Sequence, residues 1–126
     1  MYSDSRPSRN LPTSYAEALA ALKGKDYRKL CNNTAAVSVP RFHEQPHYIG
    51  IKLHNTIVVE FYEDGRIVLN SGGWQTVTTK ARMNACLPAG FRVYSQGSRK
   101  GCIWGLYKWG ALVRDFADGM TLVSDA

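Results

Sequence analysis

The sequence is poor in the residues that build disulfide frameworks, zinc sites and membrane spans. Its three cysteines, Cys31, Cys86 and Cys102, are odd in number, far apart and never paired as C-x-x-C. We therefore expect no disulfide framework and no zinc site, but small buried thiols in a reducing cytosol. No apolar run approaches the roughly 20 residues of a membrane helix. Residues 1–10 contain no apolar segment of the kind found in a secretory signal.

Groups for catalysis are also scarce. The three histidines include His43-x-x-x-His47, a spacing that suits two metal ligands on a helix, but Pro46 disfavours a helix there. Carboxylates such as Asp64 and Asp118 fall in predicted turns, so no pair is expected across a cleft. No local pattern marks a cysteine as a nucleophile. The sequence therefore predicts a protein that is not an enzyme and has no cofactor and no metal.

Positive charge is what the chain has in excess. Sixteen Lys and Arg residues against ten Asp and Glu residues give a net charge of +6, in a chain of 126 residues that suits one domain. A positive excess favours polyanionic partners, mainly nucleic acid. The alternative is a solvated basic surface with no dedicated partner.

The first half begins with a predicted flexible arm over residues 1–12, followed by a single domain over residues 13–126. Ser14 and Glu17 match a capping box, and the apolar spacing that follows predicts a helix that ends at Gly24. A further helical turn is expected over residues 26–30.

From residue 34 the apolar period changes to two, which indicates strands. Strands are predicted over residues 34–39, 48–53, 57–62, 66–70, 91–94, 102–108, 111–116 and 120–123. Asp64-Gly65 indicates a two-residue hairpin turn, and Thr78 or Thr79 is expected to cap a helix of about two turns that ends before Pro88. The predicted fold class is α+β, a single domain of mostly antiparallel β meanders with two short helices, the second half forming a second meander.

The segment 71–84 combines two glycines, a tryptophan, three threonines and two cations, and it allows two interpretations. In the structural one, the glycines turn a corner, Trp74 packs into the core, and the cations point to water. In the functional one, the segment binds a phosphate or a nucleotide through backbone N–H groups, hydroxyls and charges. The candidate anion site consists of Gly72, Gly73, Thr76, Thr78, Thr79, Lys80 and Arg82. The order of residues is not that of a Walker loop.

A second candidate site interleaves aromatic residues with cations, which suits single-stranded nucleic acid because bases stack on rings while cations hold phosphates. The candidate nucleic-acid residues are Arg99, Lys100, Tyr107, Lys108 and Trp109. Alternation along the strand predicts Tyr107 and Trp109 on one side and Trp104 on the other. In the alternative interpretation Trp104 is a core residue and Trp109 covers a turn.

A pattern in the central block of the chain combines Leu53-His54-Asn55-Thr56, residues 64–69, residues 71–84 and the later Val93-Tyr94 and Asp118-Gly119-Met120. This pattern resembles that of a set of small tailed-bacteriophage proteins. This resemblance implies a phage origin and action in the host bacterial cytoplasm or a place in a virion. The resemblance favours a small non-enzymatic binding protein, and the positive charge and the two candidate sites make nucleic acid or a phosphorylated nucleotide its expected ligand. The alternatives are an inhibitor or effector that docks on a host or defence protein, and a minor structural component of the virion.

Overall fold

The computed structural model describes residues 11–44, 46–96 and 103–123. Within these ranges nine strands and two short helices follow one another in the order α1, β1–β5, α2, β6–β9. Their bounds are α1 Tyr15–Leu22, β1 Tyr27–Cys31, β2 Thr34–Val39, β3 Tyr48–Leu53, β4 Thr56–Tyr62, β5 Arg66–Leu69, α2 Val77–Ala85, β6 Phe91–Gln96, β7 Ile103–Lys108, β8 Ala111–Asp115 and β9 Met120–Val123. All strand pairs are antiparallel. The predicted α+β class with two short helices is confirmed.

The larger sheet has the strand order β1-β2-β3-β4-β5-β9. A helical turn was expected over residues 26–30, and that prediction is wrong, because residues 27–31 form the first strand of this sheet. Tyr27 pairs with Val37 across the ladder, so the strand partner decides the conformation of this short segment. The last strand was also assigned wrongly to a second meander, because β9 pairs with β5, with Met120 opposite Leu69.

The smaller sheet is a meander of β6, β7 and β8. One face of it is buried, as shown by Val93, Trp104 and Leu106, and so Trp104 is a core residue. This face joins the helices and the larger sheet in one cluster of buried apolar side chains. Burial of a shared apolar face is what holds two sheets together in a small domain.

Hairpin and helix ends follow the sequence signals with small differences. Ser14 caps α1 by accepting a hydrogen bond from the N–H of Glu17 at 3.1 Å. Residues 63–65 connect β4 to β5, so the turn has three residues and not two, with Gly65 at φ 99°.

Residues 1–10 lie outside the described ranges, but Leu11 and Pro12, expected in a flexible arm, are buried, and Leu11 belongs to the core.

The free edge of β6 is covered by a side chain of α2. The amide of Asn84 accepts a hydrogen bond from the N–H of Val93 at 2.7 Å and donates one to its carbonyl oxygen at 3.0 Å. The side chain thus takes the place of a neighbouring strand. Such cover protects an edge from pairing with other chains.

Candidate functional site

A cleft of about 460 Å³ lies where the β3–β4 hairpin meets the corner before α2. We call it the Trp74 cleft. It is lined by Leu53, His54, Asn55, Thr56, Val58, Ser71, Trp74, Thr76, Thr78 and Thr79. Three residues of the predicted anion site, Thr76, Thr78 and Thr79, therefore line one cleft. The other four do not.

The two glycines serve the corner and not an anion. Their φ angles are 63° and 87°, which favour glycine, and a Cβ on Gly72 would come within 2.6 Å of Thr56 Cγ2. The N–H of Gly72 donates to Asn70 Oδ1 and that of Gly73 to Ser71 Oγ. In the functional interpretation these N–H groups face a ligand, whereas in the structure side chains of the corner accept their hydrogen bonds.

A carboxylate holds the same corner from the other end of the chain. Asp118 Oδ1 accepts hydrogen bonds from both the N–H and the hydroxyl of Ser71, each at 2.8 Å. Ser71 is fully buried. The carboxylate therefore fixes the start of the Gly72-Gly73 corner in place of a bound anion.

The cap of α2 is Thr76, and the prediction of Thr78 or Thr79 is wrong. Thr76 Oγ1 accepts a hydrogen bond from the N–H of Thr79 at 3.2 Å, and its hydroxyl donates to Thr79 Oγ1 at 3.1 Å. Thr76 has extended backbone angles, as an N-cap requires. Thr79 lies buried in the first turn, and Thr78 is exposed.

The two cations of the block leave the cleft in different directions. Arg82 was expected to reach water or a ligand, but it is only 8% exposed, and its Nε donates to Thr34 Oγ1 at 2.9 Å. Lys80 bonds Ser95 Oγ at 2.9 Å and lies 5.9 Å from the Trp104 ring. Arg82 thus connects α2 to β2, and Lys80 lies against the smaller sheet.

Trp74 was expected in the core and is instead 65% exposed. The positive φ angles of Gly72 and Gly73 turn the chain so that the indole becomes one wall of the cleft. Residue type favours the core for a large apolar ring, whereas the position of the Trp74 ring depends on the geometry of the corner before it.

The outward face of the smaller sheet carries a second constellation, which we call the aromatic face. It consists of Arg92, Tyr94 and Gln96 of β6, Ile103 and Tyr107 of β7, and Leu112 of β8. The residues of β6 and β7 alternate with buried residues of their strands, and Leu112 pairs with Tyr107 across the ladder. The rings of Tyr94 and Tyr107 lie 5.3 Å apart between centroids, edge to face. Arg92 pairs directly opposite Tyr107. Two aromatic rings, one exposed and one half-buried, therefore share the outward face with an exposed guanidinium group.

The predicted nucleic-acid residues are distributed over three places. Tyr107 lies on the aromatic face, whereas Lys108 has its Nζ 5.1 Å from the ring of Phe91, a residue of the buried face. Trp109 is exposed at the β7–β8 turn and covers Gly90, where a Cβ would lie 2.5 Å from the indole. Arg99 and Lys100 lie outside the described residues.

Sequence reasoning missed five of the six residues of the aromatic face, including Arg92 and Tyr94. The run Phe91-Arg92-Val93-Tyr94 alternates apolar residues with residues of the opposite face, and its period of two was the signal that could have found them. Arg92 and Tyr94 also border a groove of about 620 Å³ between β6 and α2. Lys80 lines the other side of that groove.

The positive charge of the protein is concentrated in the same part of the chain. Residues 72–116 contain seven Lys and Arg residues and one acidic residue, Asp115, whereas the rest of the chain contains nine of each sign. The whole net charge of +6 therefore belongs to the segment that builds α2 and the smaller sheet.

The described residues include a deeply buried thiol and a hydrogen-bonded histidine among the groups that could serve catalysis or metal binding. Burial raises the pKa of the Cys86 thiol, with a smaller contribution from Cys31, so this group stays protonated and is a poor nucleophile. His47 contacts the Ser38 hydroxyl at 2.9 Å. Among residues 11–44, 46–96 and 103–123, no cluster of three or more His, Cys, Asp or Glu side chains could hold a metal ion.

Comparison with known proteins identifies the family. The family model described as Kyanoviridae Gp96 protein matches residues 11–123. The chain belongs to this family. Membership supports the phage origin that the sequence resemblance implied. No curated protein and no solved structure matches the chain.

In the described part of the chain, neither helix has the length and apolar character needed to cross a membrane.

Proposed function

We propose that this member of the Kyanoviridae Gp96 family is a non-enzymatic protein that binds single-stranded nucleic acid through its aromatic face, in the cytoplasm of the host bacterium. The observation that carries the proposal is the Tyr94–Tyr107 pair on the outward face of the smaller sheet, in which Tyr94 is exposed and Tyr107 is half-buried. This pair lies in the segment that holds all of the positive excess. Bases stack on such rings regardless of sequence, at about 1–3 kcal/mol per base, and cations along the path hold the phosphates.

The arrangement of cations supports a single-stranded nucleic acid as the ligand, and not an isolated phosphate group. Arg92 lies across the ladder from Tyr107, and Lys80 lines the groove that Arg92 and Tyr94 border. An extended backbone has phosphates at intervals and so suits cations spaced along a surface. A phosphorylated nucleotide in the Trp74 cleft is less well supported, because Lys80 and Arg82 are directed elsewhere.

A double tyrosine variant tests the stacking part of the proposal. Replacing Tyr94 and Tyr107 together by alanine should weaken binding of a short fluorescein-labelled single-stranded oligonucleotide by about tenfold or more. Tyr27→Ala is the matched control, because Tyr27 is exposed on β1 of the other sheet. Fluorescence anisotropy titrations measure the affinities, and a duplex of the same sequence should bind more weakly than the strand.

A pair of charge variants extends the same assay. Arg92→Gln and Arg41→Gln remove the same charge from exposed positions, so they affect the net charge equally. Arg92→Gln should reduce the slope of log affinity against log salt concentration by about 0.7, the value for one phosphate contact on a single strand. Arg41→Gln should leave the slope unchanged. Absence of binding even at low salt would refute the proposal.

A further inference from the structure

The Trp74 cleft is a second site with a different chemistry. It shares no lining residue with the groove beside the aromatic face. Its volume of about 460 Å³ lies in the range of small-molecule sites, about 300–1,000 Å³. The exposed indole of Trp74 forms one wall, and the buried side chains of Leu53 and Val58 contribute apolar surface. A flat ring is the shape that such walls accommodate.

The polar groups of the cleft include two that the fold does not use. The hydroxyls of Thr76 and Thr79 are engaged in the helix cap. Asn55 and Thr78 are exposed, and neither side chain makes a hydrogen bond within the described residues. An amide offers both donors and an acceptor, and a hydroxyl can play either part. Together they match the mixed donor and acceptor edge of a nucleobase.

The charge of the cleft selects against an anion. Among the described residues that line it, none is a lysine, an arginine, an aspartate or a glutamate. Asp118 adds a carboxylate directly behind Ser71. A phosphate placed here would therefore meet no lysine or arginine side chain, and among the described lining residues only the exposed imidazole of His54 could supply a cationic group. An uncharged ligand needs no such partner. The side chains of Leu53 and Val58 offer no hydrogen-bond partner to the hydroxyl groups of a sugar.

We propose that the Trp74 cleft binds the base of an uncharged nucleoside, which stacks on Trp74 and is read by Asn55 and Thr78. This site does not depend on the proposed function of the aromatic face. The two sites can therefore be tested separately, with free nucleosides for the cleft and oligonucleotides for the face.

Calorimetric titration of the full-length protein with adenosine, guanosine, cytidine and thymidine tests the proposal, with methyl glucoside as an uncharged sugar. At least one nucleoside should bind, and its monophosphate should bind no more tightly. Trp74→Ala should weaken that binding by about tenfold or more. Trp74→Phe should keep most of it, because a ring remains. Asn55→Ala should weaken binding and change the preference among bases.

The matched control is Trp109→Ala, because Trp109 is also a strongly exposed tryptophan, 74% accessible, outside the cleft. This variant should bind nucleosides as the wild type does. Trp74→Ala should in turn leave oligonucleotide binding by the aromatic face unchanged. Failure of all four nucleosides to bind, binding of methyl glucoside alone, or equal losses in Trp74→Ala and Trp109→Ala would overturn the assignment.

Discussion

Replacement of Arg82 by alanine should lower the free energy of unfolding by about 2–4 kcal/mol, because it leaves a cavity under α2 and removes the bond to Thr34. The guanidinium Nε lies 2.9 Å from Thr34 Oγ1, and both residues are buried. Lys80→Ala, two positions earlier on the same helix, should cost less than about 0.5 kcal/mol. Urea denaturation with linear extrapolation measures both values.

A third variant separates packing from hydrogen bonding at this position. Arg82→Met fills a similar volume without the charge or the donors, and the Thr34 hydroxyl retains its bond to the carbonyl oxygen of Asn32 at 2.9 Å. It should therefore cost less than about 1 kcal/mol, since apolar replacements of buried charged groups are often tolerated. If Arg82→Ala were as mild as Lys80→Ala, the buried placement of Arg82 would be wrong.

Replacement of Asp118 by alanine should lower the free energy of unfolding by about 2–3 kcal/mol. The change leaves the N–H and the hydroxyl of the fully buried Ser71 without their acceptor, and bonds to a charged group are stronger than neutral ones. Asp118→Asn keeps an acceptor oxygen and should lose less than half as much. Thermal or urea melts of both variants measure the difference.

Glu63→Ala is the control for the loss of a carboxylate, because Glu63 is exposed, and it should change stability by less than about 0.5 kcal/mol. Asp118→Ala should also weaken nucleoside binding, since the N–H of Trp74 bonds the carbonyl oxygen of Ser71. Equal melting curves for Asp118→Ala and Glu63→Ala would show that the carboxylate does not hold the corner.

The strands could be predicted from the sequence because their signals are local. Residues 34–39 and 48–53 alternate along the chain, and the structure has strands with the same bounds. The position of β9 could not be predicted in this way. Its partner β5 lies some 50 residues earlier in the chain, and the local sequence of β9 does not indicate the edge strand with which it pairs.

The candidate site was harder to predict because burial is decided by distant partners. Arg82 looks like a surface cation by residue type, yet its partner Thr34 precedes it by 48 residues. Trp74 looks like a core residue by type, and two positive φ angles in the preceding corner expose it. The aromatic face differs from these cases, since alternation in β6 contains the information needed to place Arg92 and Tyr94 outward.

The most direct measurement of the central claim is a map of the surface that contacts a single strand. At 14.0 kDa the protein suits two-dimensional ¹H–¹⁵N NMR during titration with a short single-stranded oligonucleotide. We expect the amide shifts to concentrate on β6 and β7, at Arg92, Tyr94 and Tyr107, while the amides of β1 and β2 remain unchanged. Shifts concentrated on the larger sheet, or no shifts at low salt, would contradict it.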